Sequence, residues 1–159
     1  MVKVLYIGKF QPFHLGHKHA VNLISEISDE LIIGLGSPAD NRFFKLEERL
    51  KMIFENTTAT PRLLEDLQAD HPLYWDWGKY VLDLCGKVDI VATGNETVKR
   101  DFVQHDIPVL WIPRYGNISG SQIREKILTG DESWEKLVPE SSRIIIKNSD
   151  FYQTRFLKS

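Results

Sequence analysis

Residues 2–36 read VKVLYIGKFQPFHLGHKHAVNLISEISDELIIGLG, and the hydrophobic spacing changes twice along them. The run 2–8 is rich in β-branched residues and ends in glycine, as a buried strand does. Over 15–27, Leu15, Ala20, Leu23, Ile24 and Ile27 recur at helical spacing. The run 30–36 returns to strand character. Strand, helix and strand together predict a βαβ unit with parallel strands and a right-handed crossover.

The same alternation continues outward. Leu46, Leu50, Ile53 and Phe54 mark one face of a helix beginning near Lys45. A short strand is expected at 61–67, an aromatic-rich helix at 73–84 and a strand at 88–94. A helix at 96–105, a strand at 108–113 and a helix at 121–128 follow, the last stopped by Thr129-Gly130. Short helices are expected at 134–138 and 141–147, and 151–159 reads either as a further helix or as a docking tail. Five strands alternating with helices predict an α/β fold, an open parallel sheet with helices on both faces. Ligands of such sheets bind beyond the carboxyl ends of the strands, where the strand order reverses. The connections to search are therefore 8–14, 36–42, 94–95 and 114–121.

Composition bounds the possibilities. The chain has 159 residues, 42% hydrophobic and 26% charged, with 20 Lys+Arg against 22 Asp+Glu and a net charge of −2. That suits one globular domain, here 1–159, with 133–159 as a C-terminal helical segment. Cys85 is the single cysteine, so no internal disulfide or CxxC site is expected, which favours a cytoplasmic setting. The longest apolar runs fall far short of the ~20 residues of a membrane span. A near-neutral balance argues against a nucleic-acid surface but not against a small anion, which needs only a local cluster of donors. Apolar aromatics such as Trp75 or Phe151 could belong to an interface, which leaves a homo-oligomer open.

Positive groups concentrate in the first of these connections. Of five histidines, His14, His17 and His19 crowd the segment after the first strand. A helix N-terminus suits phosphate, and residues three apart on its first turn can point the same way. Gly16 would let an anion approach the backbone, and Lys9 and Lys18 add charge, unless Lys18 is simply solvated. The alternative is a capping loop with surface histidines. A metal pair has no HExxH, cysteine or carboxylate nearby, and neither GxxxxGK[ST] nor GxGxxG is present. In the last connection, Ser119 and Gln122 have capping-box spacing. Gly120 keeps that turn open, and Arg124 could reach an anion or simply lie on a capped helix.

The stretch GKFQPFHLGH, residues 8–17, resembles the signature of the HxGH nucleotidyltransferases, and its longer form is similar to archaeal-type nicotinamide mononucleotide (NMN) adenylyltransferases. The stretch ISGSQIR, 118–124, resembles the second signature of the same superfamily. The resemblance runs from about residue 2 to 144 and implies a Rossmann-like fold of the nucleotidyltransferase type. It implies adenylyl transfer from ATP to NMN, with Mg²⁺ accompanying the ATP. It further implies catalytic roles for His14, His17, Lys9 and Arg124, and ATP contacts at Gly8, Phe10, Gln11, Gly16, Gly94, Ile118, Ser119, Gly120, Ser121 and Arg42. The acceptor nucleotide would be met by Trp77, Asn95, Gly36 and Ser37. Read as residues alone, Trp77 equally suits a core helix face and Asn95 a helix N-cap. Arg49 reads as structural.

There are departures from the family pattern. Lys9 stands where the family has arginine, keeping the charge but losing the bidentate fork. The 37–49 connection is shorter by about four residues, and 64–74 longer by a similar amount, leaving Asp66 and Asp70 both open for the family's acidic position. A sister transferase using another phosphorylated acceptor, and a non-catalytic nucleotide-binding module, are the alternatives.

Overall fold

In the computed structural model, which describes residues 1–157, the strands are β1 (Lys3–Gly8), β2 (Glu30–Gly36), β3 (Thr60–Leu64), β4 (Ile90–Thr93) and β5 (Val109–Trp111). They form one parallel five-stranded sheet in the order β3-β2-β1-β4-β5. The order reverses at β1, whose neighbours are β2, with Lys3 opposite Glu30, and β4, with Val4 opposite Ile90. Two aspartates fasten the entrance of β1. Asp29 accepts the Val2 N–H at 2.6 Å and Asp89 that of Lys3 at 2.8 Å, each standing just before the neighbouring strand.

The helices are α1 (Leu15–Ile27), α2 (Leu46–Asn56), α3 (Trp77–Cys85), α4 (Glu96–Val103), α5 (Gly120–Thr129), α6 (Glu140–Lys147) and α7 (Asp150–Gln153), with 3₁₀ turns at Glu132–Leu137 and Arg155–Leu157. One sheet face, carrying Leu5, Ile7, Ile32, Leu64 and Val91, packs against Val81 and Cys85 of α3 and Phe102 of α4. Gly78 lets α3 and α4 meet, since a Cβ there would lie 2.0 Å from the Asp101 carbonyl oxygen. Burial raises the pKa of the Cys85 thiol. On the opposite face Val4, Tyr6, Ile33, Leu35 and Ala92 are also buried, so the sheet is covered on both sides.

Several elements differ from the sequence expectation, for local reasons. The strand expected at 61–67 ends at Leu64 because side chains take over the backbone groups of Glu65. Its N–H donates to the Tyr80 hydroxyl at 3.1 Å, and its carbonyl accepts the Trp77 indole N–H at 3.0 Å. The helix expected from 73 begins at Trp77, because Asp76 acts as its N-cap and accepts the Lys79 N–H at 3.2 Å. On α2 the buried positions are Arg49, Met52, Ile53 and Asn56, while Phe54 is exposed. On α1, Leu23 and Ile27 face outward and Ala20, Val21 and Ile24 inward. Phe151, considered above for an interface, is 4% exposed. The last two residues of the 151–159 segment lie outside the described residues.

By proximity the chain forms two compact units. The first comprises Met1–Lys9, Leu23–Pro38 and Ala59–Pro113, and holds the whole sheet. The second comprises Phe10–Asn22, Ala39–Thr58 and the chain from Arg114 onward. No helix among the described residues is long and apolar enough to cross a membrane.

Candidate active site

Within the second unit, the start of α1 is built from imidazoles. The His14 carbonyl accepts the Lys18 N–H at 3.0 Å, which places His14 at the N-cap. Its Nδ1 accepts the backbone N–H of Gly16 at 3.0 Å and of His17 at 3.4 Å. His17 returns the contact, its Nδ1 accepting the His14 N–H at 3.1 Å. This reciprocal arrangement has the form of a capping box, with histidines in place of Ser/Thr and Glu/Gln. The two rings stack with centroids 3.7 Å apart and planes 20° from parallel.

The capping fixes the chemistry of both rings. An Nδ1 that accepts a backbone N–H has no proton of its own, so the neutral ring carries its proton on Nε2 and donates there. Burial, and then the nearby charge of Arg114, lower the His14 pKa to about 4. Burial, and then His14 itself, hold His17 well below the ordinary histidine value. Phe10 and Phe13, both buried, form an aromatic bed for His17 at centroid distances of 4.6 and 5.3 Å. The two neutral rings therefore lie side by side, each with its proton on Nε2.

This corrects two expectations. The N–H groups of His14, Gly16 and His17 are taken by imidazole nitrogens, so the backbone at the start of α1 does not offer them to an anion. Gly16 makes room for a side chain instead, since a Cβ there would lie 2.8 Å from His14 Cε1. Lys18 is not simply solvated either. Its Nζ donates to the Asn56 carbonyl at 2.7 Å, where a cation suits the end of α2. His19 is exposed and stacks on Tyr115 at 4.2 Å.

The arginines form a second cluster in the same unit. Arg42 grips Asp40 through Nε at 2.9 Å and Nη2 at 2.8 Å, and this bond holds the Asp40 carboxyl well below the usual carboxylate range. Gln11, 4% exposed, donates to Asp40 from Nε2 at 3.4 Å, and its Oε1 is buried with no hydrogen-bond partner. Arg124 donates from Nη1 to the Gln11 carbonyl at 2.7 Å and from Nη2 to Ser121 Oγ at 3.1 Å. Burial and the charge of Arg42 lower its pKa, against a raising effect of Asp40. Gly120 makes this link possible, because a Cβ there would lie 2.9 Å from Arg124 Nη1 and 3.0 Å from the Gln11 oxygen. Ser119 N-caps α5, accepting the Gln122 N–H at 3.1 Å. Ile118 is buried, with its carbonyl oxygen 4.0 Å from where a Gly16 Cβ would stand.

The remaining candidates belong to the first unit. Gly8 closes β1, and Lys9 is exposed just beyond it, its Cγ 3.8 Å from where a Gly36 Cβ would lie. Ser37 follows β2 in a left-handed conformation (φ 50°). At Gly94 a Cβ would stand 2.7 Å from the Ile112 oxygen. Asn95 caps α4, accepting the N–H groups of Thr97 and Val98 at 2.9 and 3.1 Å. Trp77 packs on the core cluster, edge to face with Phe102 at 6.3 Å, and spends its indole N–H on Glu65. Asp66 and Asp70 both line an open cavity of about 530 Å³ together with Glu65, His71 and Tyr80.

Three residues around the arginines and histidines were not singled out from sequence: Asp40, Phe43 and Arg114. Phe43 lies under both guanidiniums, 5.3 Å from Arg42 Cζ and 4.5 Å from Arg124 Cζ. Asp40 and Arg114 sit in connections that the strand-end rule marks, and Phe43 directly follows one of them.

The parallel α/β sheet agrees with what comparison finds. The chain belongs to the cytidylyltransferase-like family, whose sequence model matches residues 5–126. More particularly, it is similar to proteins named nicotinamide-nucleotide adenylyltransferase. That of Halobacterium salinarum is 32% identical over 94% of this chain and 88% of its own length. That of Methanolobus tindarius is 35% identical over 94% and 90%. Among solved structures, a bifunctional NMN adenylyltransferase/ADP ribose pyrophosphatase from Francisella tularensis shares the fold, with a TM-score of 0.69 at 18% identity. The match covers 99% of this chain, which spans about half of that protein, 53%.

Proposed function

We propose that this chain is an NMN adenylyltransferase, forming NAD and pyrophosphate from ATP and nicotinamide mononucleotide. The observation that carries the mechanism is the pair of stacked imidazoles whose Nδ1 atoms accept backbone N–H groups, which puts the proton of each neutral ring on Nε2. An oxygen of the NMN phosphate attacks the ATP α-phosphorus in line, the bond from that phosphorus to the bridging oxygen breaks, and pyrophosphate departs. Such transfers depend on positioning and charge stabilisation rather than on a protein nucleophile. A phosphate monoester is largely ionised near neutral pH, its second pKa being about 6, so no strong general base is needed.

His17 donates to the α-phosphate, where charge develops, and His14 donates beside it. Arg124 keeps Nε–H and one hydrogen on each Nη for phosphate once Gln11 and Ser121 are served. Arg42 keeps both hydrogens of Nη1 and one of Nη2 beyond Asp40. These two hold the β- and γ-phosphates. By family resemblance Lys9 shares that task, with Gly8, Phe10, Gly16, Gly94, Ile118, Ser119, Gly120 and Ser121 in the ATP-binding loops. The orphaned Gln11 Oε1 is an acceptor for a ligand N–H or O–H. Acceptor binding falls to Trp77, Asn95, Gly36 and Ser37, and the acidic cavity at Asp66 and Asp70 suits a cationic pyridinium.

Among the described residues no group of three or more His, Cys, Asp or Glu could hold a metal ion, and Asp40 is engaged by Arg42. Mg²⁺ belongs to the substrate, arriving on the triphosphate and screening its charge. The reading favours a protein of the cytoplasm acting on small nucleotides. To test it, the protein is incubated with MgATP and NMN while NAD and pyrophosphate are followed, with flavin mononucleotide and phosphopantetheine as rival acceptors and CTP as rival donor. Stoichiometric NAD and pyrophosphate are expected. Turnover with a rival acceptor alone would reassign the substrate, and nucleotide binding without pyrophosphate release would make this a non-catalytic module.

A further inference from the structure

The short C-terminal helix α7 reaches the arginine cluster through an aromatic relay. Phe151 of α7 is 4% exposed and stands edge to face with two consecutive rings, Phe43 at 5.5 Å and 83°, and Phe44 at 5.4 Å and 75°. Phe44 is fully buried and accounts for ordinary packing. Phe43 is only half-buried, and its ring lies against both the Arg42 and Arg124 guanidiniums. Two like charges set against one ring repel, and the electron-rich face of the ring offsets part of that repulsion. The relay is tied down at its other end. Ser149 Oγ donates to the Ile146 carbonyl at 2.6 Å and accepts the Tyr152 N–H at 3.2 Å, joining α7 to the end of α6. Asp150 pairs with Lys45 at 3.2 Å, on the residue that caps α2 directly after Phe43-Phe44.

We propose that Phe151, acting through Phe43, is a positioning residue for the triphosphate: α7 braces the ring against which Arg42 and Arg124 are set. This rests on reading those two arginines as phosphate contacts. Neither phenylalanine is asked to touch substrate or to alter the reacting atoms. Loss of the brace therefore weakens binding of the triphosphate and of pyrophosphate, while acceptor binding and the chemical step are preserved.

The test uses the full chain with Phe43→Leu, Phe151→Leu and Phe43→Tyr, and with Arg42→Ala and Arg124→Ala as references. Readouts are pyrophosphate affinity by calorimetry, KM for MgATP, KM for NMN, kcat and thermal midpoint. Both leucine variants are expected to raise the pyrophosphate Kd and the ATP KM about fivefold, the scale of a lost cation–ring contact. Their kcat and NMN KM stay within about twofold, and Phe43→Tyr, which keeps the ring, behaves as the parent protein. Combined with both arginine changes, Phe43→Leu adds nothing further. Folded leucine variants with parental pyrophosphate affinity overturn the proposal, as does an undiminished effect when both arginines are absent. If Phe151→Leu fails to fold, Phe43→Leu, at a half-buried position, decides the matter. Parental pyrophosphate affinity in both arginine variants would instead overturn the phosphate reading beneath it.

Discussion

Helices α1 and α5 both begin on a side chain that accepts backbone N–H groups, yet the two caps differ in what they leave over. At α5 the Ser119 hydroxyl accepts the Gln122 N–H at 3.1 Å, and the nearby polar contacts come from other residues, Ser121 and Arg124. At α1 the cap is an imidazole, and a second imidazole returns the bond. An imidazole has two nitrogens, so one can hold the helix while the other donates to a ligand. The hydroxyl cap separates folding from chemistry, whereas the histidine cap joins them in one ring.

The sharpest way to break that contrast is to keep the cap and remove the donor. His14→Asn should still accept the helix N–H groups, as asparagine does well at an N-cap. Its thermal midpoint should stay near the parent's while turnover falls about a hundredfold, the scale of losing one preorganised donor. His17→Ala should lose at least as much, about two orders of magnitude or more. Parental turnover in either variant would sink the assignment of Nε2–H as the donor.

Acidification acts on the imidazole cap of α1 but not on the serine cap of α5, whose hydroxyl does not titrate. His14 has an ordinary value of 6.5 and sits at about 4 in the fold. Between these values the unfolded chain binds a proton that the folded chain refuses, so stability is full above about pH 6.5 and declines as pH falls toward 4. The loss amounts to about 3 kcal/mol at most from His14, with His17 adding in the same direction. Denaturant titrations at pH 7, 5.5 and 4 measure it. His14→Asn should flatten the decline, and an unchanged slope would argue against the neutral cap.

Gly16→Ala places a methyl 2.8 Å from His14 Cε1, so it should turn the ring and lower turnover about tenfold, with a smaller loss of stability. Ser119→Ala is the mildest. It should cost about 1 kcal/mol, a drop of about 3 °C in thermal midpoint, with kcat within about twofold. A large catalytic defect there would erase the contrast between the two helix starts.

Much of this was legible in the sequence because it is written in local periodicity. The five strands and their parallel direction follow from alternating apolar runs, and both signature loops fall at strand ends. What escaped depends on side chains meeting across long separations. Glu65 ends β3 because Tyr80 and Trp77 supply its partners, fifteen and twelve residues onward. Arg124 reaches the Gln11 carbonyl over 113 residues. The histidine spacing suits a shared direction toward phosphate, although the same i, i+3 interval is also that of a capping box. Asp40 and Phe43 flank Arg42 in a short polar loop where no periodicity marks them. Only the folded contacts show that one neutralises the arginine and the other supports it.

The interleaving of the two units along the chain has a consequence for how such an enzyme changes over time. The first two segments of the second unit open soon after strand ends, Phe10 after β1 and Ala39 after β2, and the third opens at Arg114 after β5. Along the chain the second unit thus enters as three segments, and the groups proposed for phosphate chemistry lie mainly on them. A change confined to one of these segments can alter the phosphate contacts while the strand pairing of the sheet is inherited untouched.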